Sequence, residues 1–114
     1  MDTRARIQLQ IQDNPMVLYM KGTPKFPQCR FSGQVVEILK ECRAGYAYVN
    51  ILDNPDIRAE LPKYADWPTF PQLFIQGELI GGCDIVTQLY ETGALQDMLD
   101  EAKVTADNPI ISVC

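Results

Sequence analysis

Met16-Val-Leu-Tyr-Met20-Lys21-Gly22-Thr23-Pro24-Lys25-Phe26-Pro27-Gln28-Cys29-Arg30-Phe31-Ser32 is the stretch that decides the fold. Its first five residues are apolar and suit a buried strand, which Lys21-Gly22-Thr23-Pro24 stops. Phe31, Val35, Ile38/Leu39 and Cys42 then recur at helical spacing, so a helix that buries this face is expected after Cys29. Cys29 thus stands at a strand-to-helix junction. The free N–H groups and positive dipole end of a helix N-terminus favour thiolate over thiol. Three residues on, where a second cysteine could close a ring, the chain has Ser32. Such a sulfur takes its partner from a small thiol or gives its charge to a metal.

Working outward, residues 3–12 read as a helix carrying Ile7 and Ile11, ended by Asn14-Pro15. Tyr46–Ile51 is β-rich. Asn54-Pro55 reads as an N-cap with proline at the first helical position, opening a helix with Ile57, Leu61 and Tyr64 that Pro62 should shorten or bend. Gln72–Ile75 and Glu78–Ile80 flank Gln76-Gly77 as a hairpin. Gly81-Gly82 leads to Asp84, a candidate cap for a helix with Ile85, Val86 and Leu89. Gly93 separates it from a last helix with Leu95, Met98, Leu99 and Ala102. Residues 1–104 form one domain in this reading, and residues 105–114, with no clear period, a flexible tail. The β-α-β start implies parallel pairing by a right-handed crossover, and the hairpin adds an antiparallel edge. An α/β fold with a four-stranded mixed sheet flanked by helices is expected.

The chain has 114 residues and a net charge of -5. That length supports one domain with a real core. No apolar run approaches the ~20 residues of a membrane span, and the N-terminus lacks a secretory segment, so a cytoplasmic protein with no membrane partner is expected. The charge argues against nucleic acid, while leaving room for a small anion held by local cations. The absence of histidine removes Cys–His catalysis and imidazole metal ligation. Cysteines 29, 42, 83 and 114 lie too far apart for a zinc ribbon. A metal site here would need ligands from a second molecule.

The element order, the cysteine at the first strand–helix junction and Thr69-Phe70-Pro71 before the third strand resemble the thioredoxin-like fold. Lys21-Gly22-Thr23-Pro24, Pro27-x-Cys29-x-Phe31-Ser32, Trp67-Pro68-Thr69-Phe70-Pro71-Gln72 and Gly81-Gly82-Cys83-Asp84 resemble, in order, the monothiol glutaredoxins of the single-domain bacterial type. The resemblance covers roughly residues 3–103. It implies glutathione binding and, in pairs of subunits, a bridging [2Fe–2S] cluster, with one cysteine and one glutathione sulfur from each side. It also implies a role in cluster storage or transfer and iron homeostasis. The partners implied are a second copy, a BolA-like protein and iron–sulfur recipient proteins.

By the same resemblance Cys29 is the cluster ligand or thiol nucleophile. Lys21 and Arg58 are carboxylate clamps, though Arg58 read alone is a surface charge. Pro71 matches a cis proline that leaves the Phe70 backbone, beside Thr69, to pair with a peptide. Gly82, the Cys83 N–H and the Asp84 carboxylate match the holder of a γ-glutamyl end, although read alone they are a turn and a cap. Trp67 is expected to pack its loop, and Cys42 to lie in the core. One departure stands out. Arg30 replaces the glycine usual after the cysteine, where it could lower the thiol pKa, clamp a carboxylate or crowd a facing subunit. Two other readings stay open: glutathione-dependent thiol exchange at Cys29, and a redox module pairing Cys29 with Cys83 or Cys114.

Overall fold

The computed structural model describes residues 2–113. Its elements run α1 (Thr3–Asp13), β1 (Met16–Met20), α2 (Arg30–Glu41), β2 (Ala47–Asn50), α3 (Pro55–Ala65), β3 (Gln72–Ile75), β4 (Glu78–Gly81), α4 (Cys83–Thr92), α5 (Ala94–Glu101) and β5 (Ile111–Ser112). The α/β, thioredoxin-like architecture is as expected, but the sheet has five strands rather than four, in the order β4-β3-β1-β2-β5. β1 pairs in parallel with β2, with Val17 opposite Ala47, and antiparallel with β3, with Val17 opposite Phe74.

The fifth strand lies in the segment expected to be a tail. Ile111 and Ser112 pair in parallel with Ala47 and Tyr48 of β2. The approach is shaped by Gly45, whose N–H donates to the Thr105 carbonyl at 3.1 Å. A Cβ at Gly45 would stand 1.7 Å from the Asn108 carbonyl oxygen, so a side chain there would exclude this docking. Asn108 closes the turn by accepting the Thr105 N–H at 2.8 Å.

Alternation along the strands builds two apolar layers. Met16, Leu18 and Met20 face α2, α4 and α5 with Val35, Leu39, Leu95 and Leu99. Val17 and Tyr19 face α1 and α3 with Ile7, Ile11, Ile57 and Leu61. Buried Tyr19 donates to the Gln10 amide oxygen at 2.8 Å, which satisfies its hydroxyl within the second layer.

Several local expectations change. Phe31 is 43 % exposed, and Ser32, Val35, Val36, Ile38 and Leu39 form the buried face of α2. The first turn of α2 is level with the end of β1, where the Lys21 N–H donates to Ser32 Oγ at 3.1 Å, so no layer covers Phe31. Asn54 does not cap α3 with its side chain. It donates instead to the Asn50 carbonyl at 2.9 Å. α3 continues through Pro62 to Ala65, and only then ends at Asp66 in the left-handed region. Pro62 is near enough to the C-terminus to forfeit little of the helix beyond its own N–H bond. Gly82, not Asp84, is the N-cap of α4, and Asp84 sits in the first turn. Gln76 and Gly77, with φ of 50° and 82°, give the hairpin turn the positive dihedrals that a tight two-residue connection requires.

Candidate functional site

Cys29 occupies the N-cap position of α2, with an extended backbone and its carbonyl accepting the Gly33 N–H at 2.9 Å. A capping serine or aspartate would point its oxygen at the second and third N–H groups of the helix. Here those groups belong to Phe31 and Ser32. The Cys29 side chain makes no full capping hydrogen bond, yet the field of both N–H groups acts on its sulfur. Burial pushes the thiol up. The Ser32 and Phe31 N–H groups, the Lys21 charge and the Ser32 hydroxyl outweigh it and hold the thiol below the usual cysteine range.

Ser32 is fully buried, and its oxygen accepts the Lys21 N–H. With that lone pair engaged, its own proton is free to favour the thiolate. One residue therefore ties β1 to α2 and conditions the sulfur.

The loop before Cys29 is a closed hairpin. The Gln28 N–H donates to the Lys21 carbonyl at 2.9 Å, and Thr23 and Phe26 exchange backbone bonds of 3.2 and 3.0 Å. Gly22 lies at φ +92°, and a Cβ there would come within 2.5 Å of the Phe26 carbonyl oxygen. Only glycine fits that turn. Its N–H donates to Asn50 Oδ1 at 2.9 Å, anchoring the loop to β2.

On the other side lies the segment Trp67–Pro71, whose Phe70–Pro71 bond is cis. Pairing of β3 with β1 starts at Gln72, so Phe70 stays outside the ladder. Gln72 is fully buried and fixes this segment by donating to the Trp67 carbonyl at 2.9 Å and the Thr69 carbonyl at 3.2 Å.

These pieces enclose an open cavity of about 600 Å³, within the usual range for small-molecule sites. All nine expected site residues line it: Lys21, Cys29, Arg58, Thr69, Phe70, Pro71, Gly82, Cys83 and Asp84. Phe31, Pro62, Trp67, Pro68 and Ile85 join them. Trp67 thus does more than pack its loop, and its buried Nε1 has no partner among the described residues. Helical spacing alone places Phe31 on the buried face of α2, where the structure does not put it. The residue's position two residues after a cap, at the open end of the helix, was the available signal against that.

Arg30 is exposed, and its guanidinium lies over the Phe31 ring, 4.9 Å from the centroid. It is not among the cavity-lining residues, and the cation acting on Cys29 is Lys21. Cys83 is buried in the cavity wall, its sulfur 4.0 Å from Thr87 Oγ1. Burial pushes its thiol up, against the Thr87 bond, with Asp84 and Cys29 adding to the rise. Cys29 and Cys83 are both free thiols, so one cavity holds an activated and a suppressed sulfur. Cys42 is partly buried against the first apolar layer, and Cys114 lies outside the described residues. Among the described residues no group of three or more His, Cys, Asp or Glu could hold a metal ion, and no helix is long and apolar enough to cross a membrane.

Comparison with known proteins gives the same picture. The glutaredoxin family model matches residues 16–80. Glutaredoxin 4 of Escherichia coli K12 is 58% identical over 109 residues, covering 94% of this chain and 95% of that protein. The solution structure of reduced poplar apo GrxS14 superposes with a TM-score of 0.76 at 46% identity, covering 88% of this chain and 92% of that one. A crystal structure of a buckwheat glutaredoxin–glutathione complex superposes with a TM-score of 0.80 at 28% identity, covering 90% and 92%. The junction cysteine, the facing cis proline and the extent of these matches agree: the chain belongs to the glutaredoxin family, beside the glutaredoxin 4 proteins.

Proposed function

We propose that this chain binds glutathione in the Cys29 cavity and, in pairs, carries a bridging [2Fe–2S] cluster as cargo for cytoplasmic iron–sulfur storage, transfer and iron homeostasis. The observation that carries the reading is the charge inventory of the cavity. Its lining holds two cations, Lys21 and Arg58, and one carboxylate, Asp84. Glutathione presents two carboxylates and one ammonium around a thiol, the complementary set. Lys21 and Arg58 would take the glycine carboxylate, the Cys83 N–H the γ-glutamyl carboxylate, Asp84 the ammonium, and the Phe70 backbone the peptide.

The cluster part follows from ligand supply. A [2Fe–2S] cluster needs four sulfur ligands, and each chain presents one activated cysteine in this cavity. Two chains and two glutathiones complete the set. A BolA-like partner or a recipient protein would take the place of one chain during transfer.

The second reading is glutathione-dependent thiol exchange, favoured by the lowered Cys29 thiol at an open cavity. Cys29 thiolate would attack the glutathione sulfur of a protein mixed disulfide and release the protein thiolate. A second glutathione thiolate would then attack that same sulfur, giving glutathione disulfide and free Cys29 thiolate.

Calorimetric titration with reduced glutathione tests the binding step. Arg58→Ala and Lys21→Ala should each weaken binding about tenfold, the scale of one charge-assisted hydrogen bond. Unchanged affinity in both variants would remove the charge-matching argument.

A further inference from the structure

The loop before Cys29 exposes what a folded chain normally covers. Phe26 is 72 % exposed, although the reciprocal Thr23–Phe26 backbone bonds hold its turn closed. Pro24 and Pro27 stiffen the same turn, and Pro27 bridges to Gly22. An aromatic ring kept in water on a preorganised turn loses little entropy when a partner covers it.

The charge around this ring is unlike that of the rest of the chain. No carboxylate occurs between Asp13 and Glu37, while Lys21, Lys25 and Arg30 fall in that interval, within a chain of net charge -5. Lys25 and Arg30 are both exposed and flank the loop and the sulfur. The Arg30 guanidinium lies over the ring of Phe31, which lines the cavity. The loop and the first turn of α2 therefore carry cations and aromatics and no carboxylate, on an acidic protein whose cavity holds one carboxylate, Asp84.

We infer that this loop is a docking surface for an acidic protein segment that presents its thiol as a glutathione mixed disulfide, Phe26 entering an apolar site while Lys25 and Arg30 meet carboxylates. The charge complementarity selects the occupant. Docked directly through this loop with no cluster between the sulfurs, a second copy would set Lys25 and Arg30 against the same cations across a two-fold axis, whereas a cluster-bridged pair is held by its sulfur ligands. An acidic partner would instead be steered onto the sulfur. The inference rests on the glutathione reading above and deepens its exchange step. Cys29 thiolate attacks the glutathione sulfur, the new bond joins Cys29 to glutathione, and the peptide leaves as its thiolate.

Two matched synthetic peptides test this, each with one glutathionylated cysteine beside a leucine, flanked by aspartates in one and lysines in the other. Single-turnover transfer of the glutathionyl group to reduced protein is followed by mass spectrometry. The acidic peptide should react about tenfold faster at low salt, with the preference fading at high salt. Lys25→Glu with Arg30→Glu should abolish or reverse that preference, and Phe26→Ala should slow the acidic peptide while leaving the reaction with glutathione disulfide unchanged. Equal rates for the two peptides, or a preference untouched by the charge reversals, would overturn the inference. So would absence of transfer from both peptides in a protein that still binds glutathione by calorimetry. If glutathione itself does not bind, the parent reading falls and this one with it. A dimer of the protein without cargo that Phe26→Ala disperses would assign the surface to a second copy, against the inference.

Discussion

The chemistry of the site turns on Ser32 as much as on Cys29. The sequence marks Ser32 only as the residue standing where a second cysteine is missing. The fold buries it, uses its oxygen for the Lys21 N–H and leaves its proton for the sulfur. Nothing local shows this, because the contact joins residues eleven apart across a loop. Ser32→Ala should therefore raise the Cys29 pKa and shift the pH profile of iodoacetamide alkylation upward. An unshifted profile would leave the helix N–H groups and Lys21 as the whole cause. Because the folded thiol lies below its unfolded value, ionised Cys29 contributes stability above the unfolded pKa. That contribution is lost as pH falls through the folded value. Arg30 was illegible for a different reason. A rotamer decides whether its charge reaches the sulfur or, as found, the Phe31 ring.

At the scale of elements, strands and helices with a clear period were readable to within a residue or two. The span Met16–Met20 is as expected, since five apolar residues between two stop signals leave little freedom. β5 was not readable. Two residues have no period, and Ile111 and Ser112 are strand only because β2 offers an unpaired edge. The docking depends on a residue far away in sequence, Gly45. Gly45→Ala should displace residues 105–113 and speed their amide hydrogen exchange, with a loss of about 1–3 kcal/mol in stability. Exchange confined to its original pattern would show that the segment tolerates the added methyl. Asp84 is a candidate cap for α4 by residue type, but it stands two residues past the cap position. Gly82 holds the cap position, which frees Asp84 to line the cavity.

Over the whole molecule, two apolar layers on either face of one sheet support the site from below, and the site itself occupies the open end of β1 and β3. Its residues come from three sequence segments and from α3. The four quoted motifs hold every cavity-lining residue except Arg58, Pro62 and Ile85, and Arg58 is placed only by family resemblance. The layers also set an alkaline limit. Tyr46 is 4 % exposed in the first layer. Burial, with Tyr48 adding, pushes its phenol up from 10.0 to about 12. The folded chain then keeps a proton that the unfolded chain has lost, so the contribution is full below pH 10.0 and fades as pH rises towards about 12. Thermal denaturation should accordingly show wild-type Tm falling more steeply than that of Tyr46→Phe across this window. Parallel curves would place the alkaline loss elsewhere.

The most direct test of the central claim is anaerobic reconstitution with iron, sulfide and glutathione, reading visible absorption and circular dichroism together with mass in solution. The account predicts a chromophore on a dimer that forms only with glutathione present and is lost in Cys29→Ser. A colourless monomer that binds glutathione would contradict the carrier reading and leave thiol exchange as the function of this cavity.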